Sequence, residues 1–234
     1  MIVFSTGLNT PTKYLNNCIT SVAKQSERAS HAVVASDKKT GGAEHLFRFV
    51  HSLPPSEVVV WVDLDDWLPH DRVLERVARE YENPNVWMTM GSFCWYPDNP
   101  HAPGFTDSIV DPFPSEVVRT RDFRKSNNGY RRATHLKTFR AGLFQQIRQG
   151  DFHLFGRWMN THMDQFTMYP MLEMAGERHA VISEVLYVYN IDGPAEGREP
   201  GKDYEASKTT AEGALITRLI EDAPKYERLS RAPW

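Results

Sequence analysis

Along residues 1–90 the apolar positions switch repeatedly between continuous runs and helical spacing, which predicts strands alternating with helices. Met1–Thr6 opens the chain as a short apolar strand, and Leu8–Thr12 carries the Asn, Thr and Pro of a loop. Tyr14, Leu15, Cys18, Ile19 and Val22 recur at helical spacing up to about Gln25. His31–Ala35 is a second short strand. The polar loop Ser36–Gly42 leads into a helix through Leu46, Phe47 and Val50, which ends at Pro54 and Pro55. Val58–Val62 is a continuous apolar run, the mark of a central strand buried on both faces. Pro69 opens an amphipathic helix with Val73, Leu74, Val77, Ala78 and Tyr81 on one face. Val86–Tyr96 reads as another strand. The alternation predicts an α/β fold with a mainly parallel central sheet flanked by helices.

The pattern loosens afterwards. Residues 97–115 hold five prolines and read as a long surface loop. A helix is predicted over about Thr138–Arg148, stopping at Gly150. Another runs from about Asp164 to Ala175 with Gly176 as its stop; Pro170 either kinks it or marks its true start. Val181–Tyr189 is a last strand, and a helix around Ala211–Glu221 precedes a polar tail. Residues 192–206 have the Gly-, Pro- and charge-rich composition of a flexible segment. We therefore expect one domain over 1–234. Its first half (1–96) would be the more regular, 97–191 the loop-rich half, and 192–234 a tail with a helix.

A length of 234 residues, with 41% hydrophobic and 24% charged, suits one soluble domain with a proper core. The net charge of -3 argues against a protein that coats nucleic acid. Cys18 falls on a helical apolar stripe and Cys94 in a strand-like run, so both read as small buried hydrophobes. No signal peptide or membrane span is predicted, and the expected location is the cytoplasm.

The chemistry concentrates in Trp61-Val62-Asp63-Leu64-Asp65-Asp66-Trp67. In open α/β sheets, ligands bind beyond the carboxyl ends of the strands. Three aspartates in four residues at that end repel one another unless a cation is present. Mg²⁺ or Mn²⁺ takes carboxylate oxygens together with substrate phosphates. The bland reading, a helix cap by Asp66 or Asp71, would win for one aspartate and loses for three.

Four segments carry a resemblance. Val62-Asp-Leu-Asp-Asp-Trp-Leu68 resembles the hydrophobic-Asp-x-Asp-Asp signature of family 2 glycosyltransferases, which have the nucleotide-diphospho-sugar fold called GT-A. Tyr14-Leu-Asn-Asn-Cys-Ile-Thr-Ser-Val-Ala-Lys-Gln25 is similar to that family's first helix. His31-Ala-Val-Val-Ala-Ser-Asp37 is similar to its second strand and the acidic loop after it. His135-Leu-Lys-Thr-Phe-Arg140 is similar to a run in a bacterial and viral subgroup.

The resemblance implies a metal-dependent, inverting transfer of a sugar from a nucleotide-sugar, with UDP-sugars first, to a hydroxyl of a glycan or other acceptor. It implies that Asp37 meets the nucleobase and that Thr6 lies along the nucleotide. Asp63 would sit at the ribose and metal, and Asp65 would be the main ligand of Mn²⁺ or Mg²⁺. Asp66 would support the metal or bind the sugar. Asp164, opening a late helix after Thr161-His162-Met163, would be the general base, with His162 beside it. Asn190 and Asp192, after the family-like Tyr187-Val-Tyr189, would either reach the metal–diphosphate centre or form a loop. His135, Arg140 and Trp67 are weaker candidates on the acceptor side. For Trp67, Trp95, Tyr96 and Trp158, core packing competes with stacking on sugars.

Residues 119–140 hold eight Lys/Arg against one Asp around Ser126–Gly129. A solvated charged face competes there with a loop that closes over the donor and with a site for an anionic acceptor, phage-type modified DNA included. Two other classes compete with the transferase. A sugar-nucleotide pyrophosphorylase needs a Gly-rich, basic loop after the first strand, whereas Ser5–Pro11 has one glycine. A non-enzymatic nucleic-acid-binding module is disfavoured by the net charge and the acidic run.

Overall fold

The computed structural model describes residues 1–8, 10–36, 42–97, 107–125, 133–159, 162–192 and 211–234. Asp37, Arg131, Arg132, Ser126–Gly129 and most of 192–206 lie outside them, so the expectations placed there have no structural counterpart.

The elements run β1 (Ile2–Leu8), α1 (Thr12–Ala23), β2 (Ser30–Ser36), α2 (Gly42–His51), β3 (Val58–Asp63), α3 (Val73–Tyr81), β4 (Met88–Tyr96) and β5 (Asp107–Ser108). They continue with α4 (Ser115–Thr120), β6 (Lys137–Arg140), α5 (Ala141–Phe144) and a 3-10 turn at Gln149–Phe152. The hairpin β7 (His153–Leu154) and β8 (Arg157–Trp158), α6 (Met163–Ala175), β9 (His179–Asn190) and α7 (Ala211–Asp222) complete the chain.

Among the described residues the main sheet runs β2-β1-β3-β6-β4, with β9 on the far side of β4 and short β5 also against β4. β1 is parallel to β2 and β3, and β4 is parallel to β9. β6 is antiparallel to both neighbours and joins the two parallel groups. The expected α/β, mainly parallel architecture is therefore present. β6 and β9, from the second half of the chain, complete the sheet begun by the strands of the first half.

Alternation along β3 splits its side chains between two cores. Val59 and Trp61 join Phe4, Leu46, Phe139 and Leu172 in a cluster packed under α2 and α6. Val60 and Val62 join Cys18, Val22, Leu74 and Val77 in a cluster under α1 and α3. Hence β3 is buried on both faces, as its unbroken apolar run predicted. Cys18 is buried, Cys94 is half-buried, and neither forms a disulfide among the described residues.

One expectation fails, and one open alternative closes. The helix expected over Thr138–Arg148 is wrong at its start: Lys137–Arg140 is strand β6, and helical turns occupy only Ala141–Phe144. The reason is tertiary. Val58–Trp61 and Met88–Thr89 both leave unpaired backbone edges that this segment fills, and four residues are too few to show period two convincingly. Pro170 lies inside α6, which begins at Met163, so Pro170 does not mark the helix start.

The helix expected from Pro69 begins at Val73. The end of α1 explains the delay. Gln25 Nε2 donates to the His70 carbonyl at 2.7 Å, and Gln25 Oε1 accepts from the Leu74 amide at 3.0 Å. Ser21 Oγ accepts from the Leu68 amide at 3.1 Å. The Ser and Gln of the first-helix motif thus fasten the segment that follows the acidic run.

Candidate active site

The acidic run leaves β3 at its carboxyl end and turns at once. The Asp66 amide donates to the Asp63 carbonyl at 3.0 Å, and the Leu64 amide donates to the Thr6 carbonyl at 3.1 Å. Thr6 is buried and pairs in register with Asp63, so the ends of β1 and β3 lie side by side. Gly7 permits this approach: a Cβ there would lie 2.8 Å from the Leu64 Cβ and 2.6 Å from Thr10 Oγ1. The single glycine of this segment thus lets β1 pass close to Leu64 and Thr10.

β9 closes the turn from the other side. The Tyr187 hydroxyl donates to Asp66 Oδ2 at 2.6 Å, and the Asn190 amide donates to Asp66 Oδ1 at 2.7 Å. Asn190 Nδ2 donates to the Asp65 carbonyl at 3.0 Å. Trp67 and Val188 exchange backbone hydrogen bonds, and the Asp63 amide donates to the Tyr187 hydroxyl at 3.1 Å. Asn190 thus braces the turn that carries Asp65 and Asp66.

Burial and the neighbouring Asp65 and Asp63 carboxylates push the Asp66 carboxyl well above its ordinary value, against the lowering effect of its two hydrogen bonds. Burial also pushes the Tyr187 phenol up, with Asp63 and Asp66 adding to it.

β6 and the residues before it deliver two nitrogens to Asp63. Lys137 Nζ lies 3.4 Å from Asp63 Oδ2, and His135 Nδ1 lies 4.0 Å from the same oxygen. His135 is buried and stacks on Tyr187, ring centroids 4.5 Å apart. Its Nδ1 has no hydrogen-bond partner. Burial, and then the Lys137 ammonium, hold its pKa well below the ordinary value, so it is a neutral imidazole with a lone pair to offer.

Asp63, Asp66 and His135 each bring one ligand atom within 4.8 Å of the others. Two carboxylate oxygens and a neutral imidazole fit a divalent transition ion such as Mn²⁺, and the orphaned Nδ1 is the observation that favours one. Asp65, expected as the chief ligand, is half-buried beside this trio and is not one of its members. Sequence reasoning placed His135 on the acceptor side and read Lys137 only as part of a charged stretch.

The remaining candidates divide. Trp67 meets Tyr96 edge-on, centroids 5.0 Å apart, immediately after the turn. The Tyr14 hydroxyl donates to Asp192 Oδ2 at 2.7 Å, with Lys13 Nζ 3.9 Å from the same oxygen, so Asp192 is engaged with α1. Burial, then Asp192, pushes the Tyr14 phenol up to about 12. Asp164 stands in the first turn of α6, and its Oδ1 accepts from the Gln165 amide at 2.9 Å. His162 precedes the helix at φ 55°, left-handed backbone that a non-glycine residue adopts at a cost. Arg140 pairs with Val58 at the opposite end of β3 from Asp63 and donates to the Ser56 and Tyr81 carbonyls. The structure does not bring it to the acidic turn.

In the described part of the basic stretch, Arg121, Arg124, Lys137 and Arg140 are engaged inside the fold, while Arg119 and Lys125 are exposed. Arg119 pairs with Glu116, Arg121 donates to the Tyr226 carbonyl, and Arg124 forms a bidentate pair with Glu173. Among the described residues no helix is long and apolar enough to cross a membrane.

No family model matches the chain, and no curated protein matches it in sequence. Solved structures do match. A structure of S. aureus TarS residues 1–349 in complex with UDP-GlcNAc aligns with a TM-score of 0.57 at 13% identity, over 94% of this chain and 65% of that one. TarS 1–349 without a named ligand gives 0.54 at 12% identity, over 81% of this chain and 60% of that one. Mannosyl-3-phosphoglycerate synthase from Rubrobacter xylanophilus gives 0.51 at 9% identity, over 94% and 74%. The chain thus spans less than two thirds of either TarS structure's length. At these identities the likeness shows the fold, and the fold is the GT-A architecture that the sequence predicted.

Proposed function

We propose that the chain is a nucleotide-sugar-dependent glycosyltransferase of the family 2 type. The observation that carries this reading is the convergence of Asp63, Asp66 and the orphaned His135 Nδ1 at the carboxyl end of the central strand. It occurs in a fold shared with a protein whose structure holds UDP-GlcNAc. A UDP-sugar is the preferred donor, since Asp37 would accept the uracil N–H and Asp63 would face the ribose.

When bound, Mn²⁺ or Mg²⁺ supplies a Lewis acid for the charge that grows on the departing diphosphate. Asp63, Asp66 and His135 would hold it, with Asp65 reaching it from the exposed side of the turn. Tyr187 and Asn190 brace the turn that carries these carboxylates. Asp164 would take the proton from the acceptor hydroxyl as the oxygen attacks the anomeric carbon. One base and a single displacement give inversion. Trp67 and Tyr96 offer apolar faces to a sugar ring, and His162 stands beside the base. The acceptor is a hydroxyl compound, a glycan before a nucleic acid, because the net charge is -3 and Arg121, Arg124, Lys137 and Arg140 are engaged inside the fold. A cytoplasmic location remains our expectation.

A donor screen by mass spectrometry tests the reading. Release of UDP from a UDP-sugar, dependent on Mn²⁺ and lost in Asp65→Ala, supports it. Formation of a nucleotide-sugar and pyrophosphate from a sugar-1-phosphate and a nucleoside triphosphate would overturn it in favour of a pyrophosphorylase. DNA binding without turnover of any donor would favour the binding module.

A further inference from the structure

Lys137 is the buried cation of this site, and nothing in the transfer chemistry above uses it. It stands opposite Trp61 in the β3–β6 pairing, so the two side chains leave the same face of the sheet. Asp63, two residues along β3, leaves that face too. The Lys137 side chain crosses the Trp61 indole, Nζ 4.1 Å from the ring centroid, and ends 3.4 Å from Asp63 Oδ2. That side chain is 2% exposed. An ammonium so removed from water needs the carboxylate and the ring face as substitutes for hydration.

Asp63 Oδ2 is also the oxygen that His135 Nδ1 faces. The ammonium and a cation held by Asp63, Asp66 and His135 would therefore share one carboxylate oxygen. Two positive charges that close, in a site screened from solvent, oppose each other.

We propose that Lys137 is the resident counter-ion of Asp63 and competes with the divalent cation for that carboxylate, setting the cation affinity of the donor-free protein low. The inference rests on the metal reading of the site and adds a residue that tunes it. Lys137 is a positioning residue: it acts through Asp63 and fixes how readily that carboxylate can turn to a metal.

The test is Mn²⁺ titration of the metal-stripped chain, followed by electron paramagnetic resonance of the free ion, in wild type, Lys137→Met and Lys137→Gln. Both variants should bind Mn²⁺ at least about tenfold more tightly than wild type, since the competing charge is gone. Adding Asp63→Asn to either should abolish the gain. Equal affinity in wild type and folded variants would overturn the role of Lys137 while leaving the metal reading in place. No Mn²⁺ binding by any form, with or without UDP, would overturn both.

Should the variants unfold, wild-type crystals soaked in Mn²⁺ decide the matter. Nζ displaced from Asp63 Oδ2 supports the competition. Mn²⁺ on Asp63 with Nζ unmoved removes it.

Discussion

The Tyr187 hydroxyl donates to Asp66 Oδ2 at 2.6 Å, joining two residues 121 positions apart and tying the end of β9 to the turn after β3. Both groups are buried. Leaving a buried polar group without its hydrogen-bond partner costs about 1–3 kcal/mol, because the carboxyl oxygen loses its donor without regaining water. Tyr187→Phe should lower the unfolding free energy by about that amount in urea titrations of the metal-free protein. A change within the error of the extrapolation would mean that Asp66 finds another donor.

His135 gives the metal-free protein a predictable response to acid. Its pKa in the folded chain lies well below the ordinary 6.5, first from burial and then from Lys137. Near pH 6 the unfolded chain binds a proton that the folded chain refuses. Stability from this group is therefore complete above about pH 6.5 and is lost as pH falls toward the folded value. The maximum slope is one proton, about 1.4 kcal/mol per pH unit. His31 and His179 are also held low by burial and stay in any His135 variant, so only a difference isolates His135. His135→Gln should flatten the stability profile between about pH 5 and 6.5 by up to that slope. Parallel profiles would show that His135 titrates normally.

Contiguity decides what could be read from the sequence. The acidic run follows its strand directly, so both the carboxylates and their place at a strand end were visible in one short window. β3 was legible because its unbroken Val-rich run admits one environment. The partners of Asp63 and Asp66 were not legible in the same way. His135, Lys137, Tyr187 and Asn190 reach the turn across neighbouring strands, and no local spacing encodes that. Lys137 is the sharpest case. In a stretch of eight cations it reads as surface charge, whereas β6 buries it against Trp61. The same strand was read as helix because its pairing partners, not its own four residues, fix its conformation.

Arg124 and Glu173 form a buried ion pair, their side chains 7% and 0% exposed. Arg124 Nε and Nη2 donate to the two Glu173 oxygens at 2.6 and 2.8 Å, and the Tyr226 amide donates to Glu173 Oε2 at 3.0 Å. The pair fastens α6 to the C-terminal segment, since Arg124 Nη1 also donates to the Ile220 carbonyl at 3.1 Å. Removing one partner leaves a buried charge uncompensated, at a cost of about 3–5 kcal/mol. Arg124→Met and Glu173→Leu should each lose that much by thermal or urea unfolding. The double variant should lose less than the sum of the two. Strict additivity in this cycle would show the two charges to be uncoupled.

Asp164 stands where a helix start and a proton acceptor make the same demand on sequence, and one variant separates them. A carboxylate in the first turn of α6 favours the helix by about 0.3–1 kcal/mol through its dipole. If that were its whole role, Asp164→Asn would shift the melting temperature slightly and leave turnover near wild type. If Asp164 takes the acceptor proton, the same variant should bind UDP with unchanged affinity by calorimetry. Its kcat should fall by about 10²–10⁴-fold, the range expected when a general base is removed. Asp164→Glu, which keeps the base but moves it by one methylene, should recover part of that loss. Asp164→Asn with normal turnover would remove Asp164 as the base. Lost UDP binding would instead place its carboxylate on the donor side.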